Sequence, residues 1–409
     1  MMRAMYEKIN RLLSYFPVVV ILGARQCGKT TLAKMLRPDW HYIDLENPAD
    51  FELFQAQDPV FYLNHYNKDL IIDEAQAYPA VFDILRGVID NNRDQKGRFI
   101  LTGSSSPDLL KHATNSLAGR VAVIELGTLM PSEWANKPLP DFYKYFTDNL
   151  TVDELQSIQP SITQAQVHQA WLKGGYPEPV LNPDPLFTEF WMAEYQKTYL
   201  FRDVASLFPR LNPQAYQRFL SILARLSGTI LNKAELARSI EISESTIKDY
   251  LQIAEGTFLW RSIPSFENHP LRQVVKMPKG HFRDSGLLNY LLRIQTIDSL
   301  FSHPHVGHLF ESFIIENIIK HLEAMPVNNW QARYYRTKHG AEVDLVLEGH
   351  FGLLPIEIKL GQTVTQKQLT TLKAFVSECN APFAMVINQA DKVHMLAERI
   401  IQIPARYVL

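Results

Sequence analysis

The chain has 409 residues, enough for about two to four domains. Forty-one Lys and Arg oppose 43 Asp and Glu, a formal net charge of −2, so any surface for nucleic acid or membrane must be local. Two cysteines exclude a disulfide framework and a multi-cysteine zinc site, and 46% apolar residues exclude a disordered chain.

Residues 2–14 have a helical pattern. The apolar run Phe16 to Ala24 is about half of what a membrane span needs, and Glu7, Lys8, Asn10 and Arg11 rule out reading it as a leader. No membrane segment and a cytoplasmic location are the expectation. Pro17 to Leu22 is a β-branched run of the kind buried on both faces of a sheet. A Gly-containing turn and a helix from Lys29 to Leu36 follow. Further strands are predicted at Tyr42 to Leu45, Leu70 to Asp73, Phe99 to Thr102 and Val121 to Leu126, with Asn47-Pro48 opening one helix and Ala80 to Asp90 forming another. Strands alternating with helices predict a parallel sheet covered on both faces. Residues 132–228 read as mainly helical, 229–300 as two helices, two short strands and a helix, and a second α/β pattern starts near 305. The fold class is therefore α/β multidomain, with borders near 130–150, 210 and 300.

Gly23-Ala24-Arg25-Gln26-Cys27-Gly28-Lys29-Thr30, followed by Thr31, has the spacing G-x4-G-K-[ST] between a buried strand and a helix. Backbone N–H groups of such a loop and the helix N-terminus cradle phosphates, the lysine reaches the β and γ phosphates of ATP, and the Thr30 hydroxyl is the expected Mg²⁺ ligand. Cys27 needs no catalytic role, since a small side chain suits its position. Leu70 to Glu74 ends a strand in two acids. Asp73, expected beside the first strand, is the second Mg²⁺ ligand, and Glu74 the base that polarises the attacking water. Thr102 and Ser104 end the fourth strand either as contacts to the γ-phosphate and lytic water or as ordinary polar residues. Arg120 is either a transition-state cation, in cis or supplied in trans within an oligomer, or a solvated side chain, with Arg25 competing for the role.

The segments GARQCGKTTLAKML, LIIDEAQ, FILTGSSSPDLL and SLAGRVAVIELGTLMPSEW, with GGYPEPV, YLFRDVASL, HFRDSGLLNYLL and AEVDLVLE–LPIEIKLG later on, resemble the AAA-type P-loop ATPases of prokaryotes that carry a C-terminal domain of unknown function. The resemblance spans nearly the whole chain. It implies an ATPase domain over 1–135, a helical region over 136–210, a winged-helix-like region over 211–300 and a restriction-endonuclease-like end over 301–409, with ATP and Mg²⁺ as cofactors.

Asn232 to Ile240 and Ser243 to Glu255 are the helices of a helix-turn-helix pattern, with Ser243 as an N-cap. Phe258 to Ile263 and Val274 to Met277 are candidate wing strands. Ile247, Tyr250, Leu251 and Ala254 mark the buried face of the second helix, leaving Glu244, Ser245, Lys248, Asp249 and Gln252 outward. Two acids and one lysine suit protein packing better than DNA reading. Lys276, Lys279, His281 and Arg283 form a basic cluster, either a nucleic-acid contact or a solvated loop.

Glu342 to Leu347 and Ile356 to Leu360 are predicted strands. Alternation puts Glu357 and Lys359 on one face, and a hairpin would bring Asp344 to them. D-x12-E-x-K resembles the D…(D/E)-x-K signature of restriction-endonuclease-like folds. That likeness implies that Asp344, Glu357 and the helix acid Glu311 bind Mg²⁺ and that Lys359 supports the attacking water. Two outputs stay open: an ATPase coupled to a nuclease or DNA-handling module, or an ATP-dependent switch for a protein partner with an inactive nuclease-like scaffold.

Overall fold

The computed structural model describes residues 1–56, 58–65, 70–104, 117–148, 151–204, 208, 211–267 and 277–409. The chain folds as two compact units, Met2–Thr128 with Gly256–Phe258, and Leu129–Glu255 with Leu259–Leu409.

In the first unit, helix α1 (Met5–Tyr15) precedes strand β1 (Val18–Leu22), whose residues are all buried. Helix α2 (Lys29–Leu36) follows, then β2 (His41–Asp44) and β3 (Leu70–Asp73). Helix α3 (Val81–Asp90), β4 (Phe99–Gly103) and β5 (Val121–Glu125) complete the sheet. All neighbours are parallel, in the order β2-β3-β4-β1-β5. A parallel sheet needs both faces covered, which the β-branched runs Val18–Leu22 and Leu70–Asp73 satisfy by having no polar side before their last residue. Phe54, Phe82, Leu85 and Val88 pack on one face. The carboxyl ends of β1, β3 and β4 share one edge, where ligands of open α/β sheets bind. Asp73 was expected beside β1; instead β4 runs between β1 and β3, so Thr102 separates the loop strand from the acid strand.

In the second unit, helix α4 (Pro213–Arg225), β6 (Thr229–Ile230), α5 (Lys233–Ile240), α6 (Glu244–Gly256), β7 (Trp260–Ile263) and β8 (Lys279–Phe282) follow in order. The three strands form an antiparallel sheet, β6-β8-β7. Ser243 caps α6, its hydroxyl accepting from Thr246 N at 3.1 Å. The second wing strand expected at Val274 to Met277 is not where β8 lies, and residues 274–276 are outside the described residues.

Helix α7 (Val306–Ala324) then leads to β9 (Gln331–Arg336), β10 (Glu342–Gly349) and β11 (Gly352–Ile358). Helix α8 (Thr370–Glu378), β12 (Ala384–Asn388), β13 (His394–Ala397) and β14 (Ile400–Pro404) end the chain. These strands form a mixed sheet, β13-β14-β12-β11-β10-β9, separate from the first one. Val343, Val346, Leu372, Phe375 and Val386 form a core between sheet and α8. Among the described residues no helix is long and apolar enough to cross a membrane.

Candidate functional site

The loop after β1 is shaped by two glycines. Gly28 takes φ 98°, a left-handed value that side chains resist, and a Cβ at Gly23 would lie 2.2 Å from the Leu126 carbonyl. Gln26 shares the left-handed turn at φ 63°. Cys27 is buried and its Sγ donates to Leu126 O at 3.3 Å, so it serves packing. Lys29 is buried at the start of α2, its Nζ donating to the carbonyls of Gly23 (3.1 Å) and Ala24 (3.0 Å). Arg3 escaped sequence reasoning: its guanidinium donates to Cys27 O at 2.9 Å and Gly127 O at 2.8 Å, pinning the loop from the start of the chain.

Thr30, Asp73, Thr102 and Glu74 form one hydrogen-bonded chain. Thr30 Oγ1 donates to Asp73, 2.8 Å from Oδ2. The Thr102 hydroxyl donates to Asp73 Oδ1 and accepts from Glu74 N at 3.3 Å. Glu74 sits at φ 50°, a left-handed conformation that costs about 1–2 kcal/mol for a non-glycine residue. Its Oε2 accepts from Ser104 Oγ at 3.0 Å and from Gln76 Nε2 at 2.5 Å. Thr102 and Ser104, expected as possible phosphate contacts, thus hold the two acids. Tyr42 was missed altogether. Its hydroxyl donates to Asp73 Oδ2 at 2.7 Å, and its pKa is raised by burial and by that bond.

The surroundings are rich in carboxylates. Burial, and then the charges of Asp73 and Glu74, raise the pKa of Asp44; burial and Glu74 raise that of Glu46, which Arg25 partly offsets. A cation placed among them would be welcome on electrostatic grounds.

Arg120 lies elsewhere. It precedes Val121, which pairs with Val18 at the first residue of β1, so it is at the edge opposite the loop. The four steps from Val18 to Leu22 at ~3.3 Å each keep its backbone about 13 Å or more from that loop. Its guanidinium is bidentate to Asp90, Nε to Oδ1 at 2.7 Å and Nη2 to Oδ2 at 3.0 Å. The cis transition-state role is therefore corrected: the strand direction takes Arg120 to the wrong end.

The C-terminal residues do gather. Leu345 pairs with Ile356 across the β10–β11 hairpin, which sets Asp344 beside Glu357. A register shift against β9 between Val343 and Val346 puts Asp344 in an irregular stretch, as bulges near sites commonly do. Asp344 Oδ2 accepts from Ile358 N at 2.8 Å, and Lys359 Nζ lies 2.5 Å from Glu357 Oε1. Lys279 of β8, only 2% exposed, lies among the acids. Its Nζ contacts Glu311 Oε1, Glu342 Oε1 at 2.5 Å and Asp344 Oδ1 at 3.5 Å. Burial alone would depress the Lys279 pKa, but the charges of Glu311, Asp344 and Glu342 raise it instead. Burial and then Asp344 push the Glu357 carboxyl up to about 8, with Lys359 opposing. The basic cluster of the sequence reading is corrected here. Lys279 and His281 are buried in a strand, His281 Nδ1 meeting Ser312 Oγ at 3.0 Å, and Arg283 is also buried; Lys276 is outside the described residues. The acids do not fit a divalent ion as they stand. Among the described residues no three His, Cys, Asp or Glu have the geometry to hold a metal.

Residues 15–135 match the AAA domain family; residues 164–298 and 306–408 match two domains of unknown function, DUF8612 and DUF4143. Two relatives, Uncharacterized protein Rv2008c of Mycobacterium tuberculosis and Uncharacterized protein Mb2031c of Mycobacterium bovis, are each 29% identical over 406 residues, covering 98% of this chain and 83% of the relative. Among solved structures, a Walker-type ATPase of Pyrococcus abyssi is similar at a TM-score of 0.43 and 16% identity, over 70% of this chain and 94% of that one. AMPPCP-bound DnaA of Aquifex aeolicus gives a TM-score of 0.29 at 14% identity, over 61% and 85%. The AAA domain model thus matches most of the first unit, and the DUF4143 model matches the C-terminal region of the same chain.

Proposed function

We propose that the protein binds ATP at the Gly23–Thr31 loop and hydrolyses it to ADP and phosphate. The observation that carries the reading is the chain Thr30–Asp73–Thr102–Glu74 at the carboxyl edge of the sheet. Hard oxygen donors suit Mg²⁺, which Thr30 and Asp73 would hold by exchanging their mutual hydrogen bond. When bound, Mg²⁺ neutralises charge on the β and γ phosphates. Lys29 exchanges the Gly23 and Ala24 carbonyls for phosphate oxygens, a stronger charge-assisted pairing. Loop N–H groups and the α2 N-terminus orient the triphosphate. Glu74, fixed by Ser104 and Gln76, accepts a proton from the attacking water.

The test is a pair of substitutions. Lys29→Ala should abolish ATP binding, whereas Glu74→Gln should keep binding and lose at least about 100-fold in hydrolysis, the general-base contribution. Parental turnover in Glu74→Gln would remove Glu74 from the role.

For the output, the order α4, β6, α5, α6, β7, β8 supports a winged-helix-like middle, and the acid-bearing β10–β11 hairpin supports a restriction-endonuclease-like end. Of the two outputs, an ATP-dependent interaction switch is favoured over DNA or RNA cleavage, because Lys279 and Lys359 already supply positive charge at Asp344 and Glu357. A cytoplasmic setting agrees with the two free cysteines.

A further inference from the structure

The C-terminal acids already have a cation, and it comes from outside their own sheet. We propose that Lys279 is a built-in counter-ion that keeps the Glu311–Glu342–Asp344 cluster free of divalent metal, so that the cluster serves as a latch between β8 and the C-terminal sheet rather than as a cutting site.

Three features support this. First, Lys279 is placed, not merely nearby. Its backbone pairs with Ile230 on one side and Ile263 on the other, in the middle strand of its sheet. The side chain is 2% exposed, although lysine ordinarily keeps its head in water. Second, the ammonium reaches acids from two separate elements: Glu311 of α7, and Glu342 and Asp344 of β10. A buried ammonium is tolerated only with such partners, and the acids equally need a cation, so each side accounts for the other's burial. Third, further oxygens of the cluster are engaged, although Glu357 Oε2 is buried with no hydrogen-bond partner among the described residues. Asp344 Oδ2 accepts from Ile358 N at 2.8 Å, Arg336 Nη1 lies 2.8 Å from Glu342 Oε2, and Lys359 holds Glu357 Oε1 at 2.5 Å. A divalent ion entering the cluster would meet the Lys279 charge at contact distance and would have to displace it.

The inference is independent of ATP hydrolysis and is tested by metal binding on the full, nucleotide-free chain. Mn²⁺ is titrated by calorimetry and by loss of its free-ion electron paramagnetic resonance signal, for wild type, Lys279→Met, Lys279→Arg and Asp344→Asn. Lys279→Met keeps the stem and removes the charge. It should bind one Mn²⁺ at least about tenfold more tightly than wild type, because the repelling cation is gone. Adding Asp344→Asn to it should abolish that gain, which locates the ion. Lys279→Arg, with its charge retained, should behave as wild type. Wild-type binding of Mn²⁺ that Asp344→Asn removes would overturn the proposal, as would a folded Lys279→Met variant with no gain. If Lys279→Met does not fold, the comparison of wild type with Asp344→Asn still decides: equal, weak binding supports the proposal and Asp344-dependent binding defeats it.

Discussion

Thr102 shows how one hydroxyl can hold two acids of the candidate site together. It lies on the strand between the loop strand and the acid strand, donates to Asp73 and accepts from Glu74 N. Replacing it by Val keeps shape and burial while leaving Asp73 and Glu74 N each short of a partner, an effect of about 1–3 kcal/mol on whatever depends on their placement. Thr102→Val should therefore lower kcat/KM for ATP by roughly 10- to 100-fold while ADP affinity measured without Mg²⁺ stays at the parental value. Equal losses in both measurements would mean that Thr102 shapes the loop itself. At this scale the sequence was most informative where the candidate site lies on contiguous residues, as in Gly23 to Thr31 and Asp73-Glu74. Arg3, Tyr42 and Lys279 were hidden for a common reason. Each reaches its partner from a distant segment (24 residues for Arg3 and Cys27, 31 for Tyr42 and Asp73, 65 for Lys279 and Asp344), and no local spacing announces such a pairing.

Helix α6 is the element on which a nucleic-acid role would most directly depend. Ile247, Tyr250, Leu251 and Ala254 are buried as the i, i+3, i+4, i+7 pattern requires, and Glu244, Ser245, Lys248, Asp249 and Gln252 are exposed. Lys248 is the single cation on that outer face. If DNA binds the chain through this face, counterion release makes the loss of a phosphate contact visible as about one unit in the slope of log affinity against log salt. Lys248→Ala should leave the slope unchanged, and a drop of about one unit would instead put α6 on the DNA backbone. The elements themselves were legible where periodicity is strong: β1, α2, β3 and α6 lie within a residue or two of their predicted limits. Two things were not. The position of β4 between β1 and β3 is a matter of which strands pair, and composition does not encode it. β8 was misplaced because it carries Lys279, Gly280 and His281, a polar reading for a strand whose four residues are all buried.

The second unit depends on polar groups sealed inside it, and these should govern its response to acid. His321 of α7 is fully buried, its ring stacked on Tyr143 at 4.6 Å and 6°. Asn317 O, 2.7 Å from Nδ1, can only accept, so Nδ1 carries the proton and Nε2 accepts from Ser132 Oγ at 3.1 Å. Burial lowers the His321 pKa to about 4; the Asn317 carbonyl and Glu133 oppose that shift and Lys320 adds to it. The sign follows from the folded value lying below the unfolded one. Stability from the neutral ring is complete above about pH 6.5 and is lost as pH falls through about 4. The shift corresponds to ~3 kcal/mol over that window, a large share of the stability of an ordinary domain. In thermal unfolding, protonation of His321 should therefore remove stability from the wild type between pH 7 and pH 4, with the buried His281 adding to the loss and Glu357, raised to about 8, opposing it. His321→Gln keeps a donor and an acceptor but cannot take the proton at these pH values; it should start less stable at pH 7, having lost the ring stack, and should show a distinctly shallower decline. Parallel pH profiles for the two proteins would assign the acid sensitivity to other groups and leave His321 with a packing role alone.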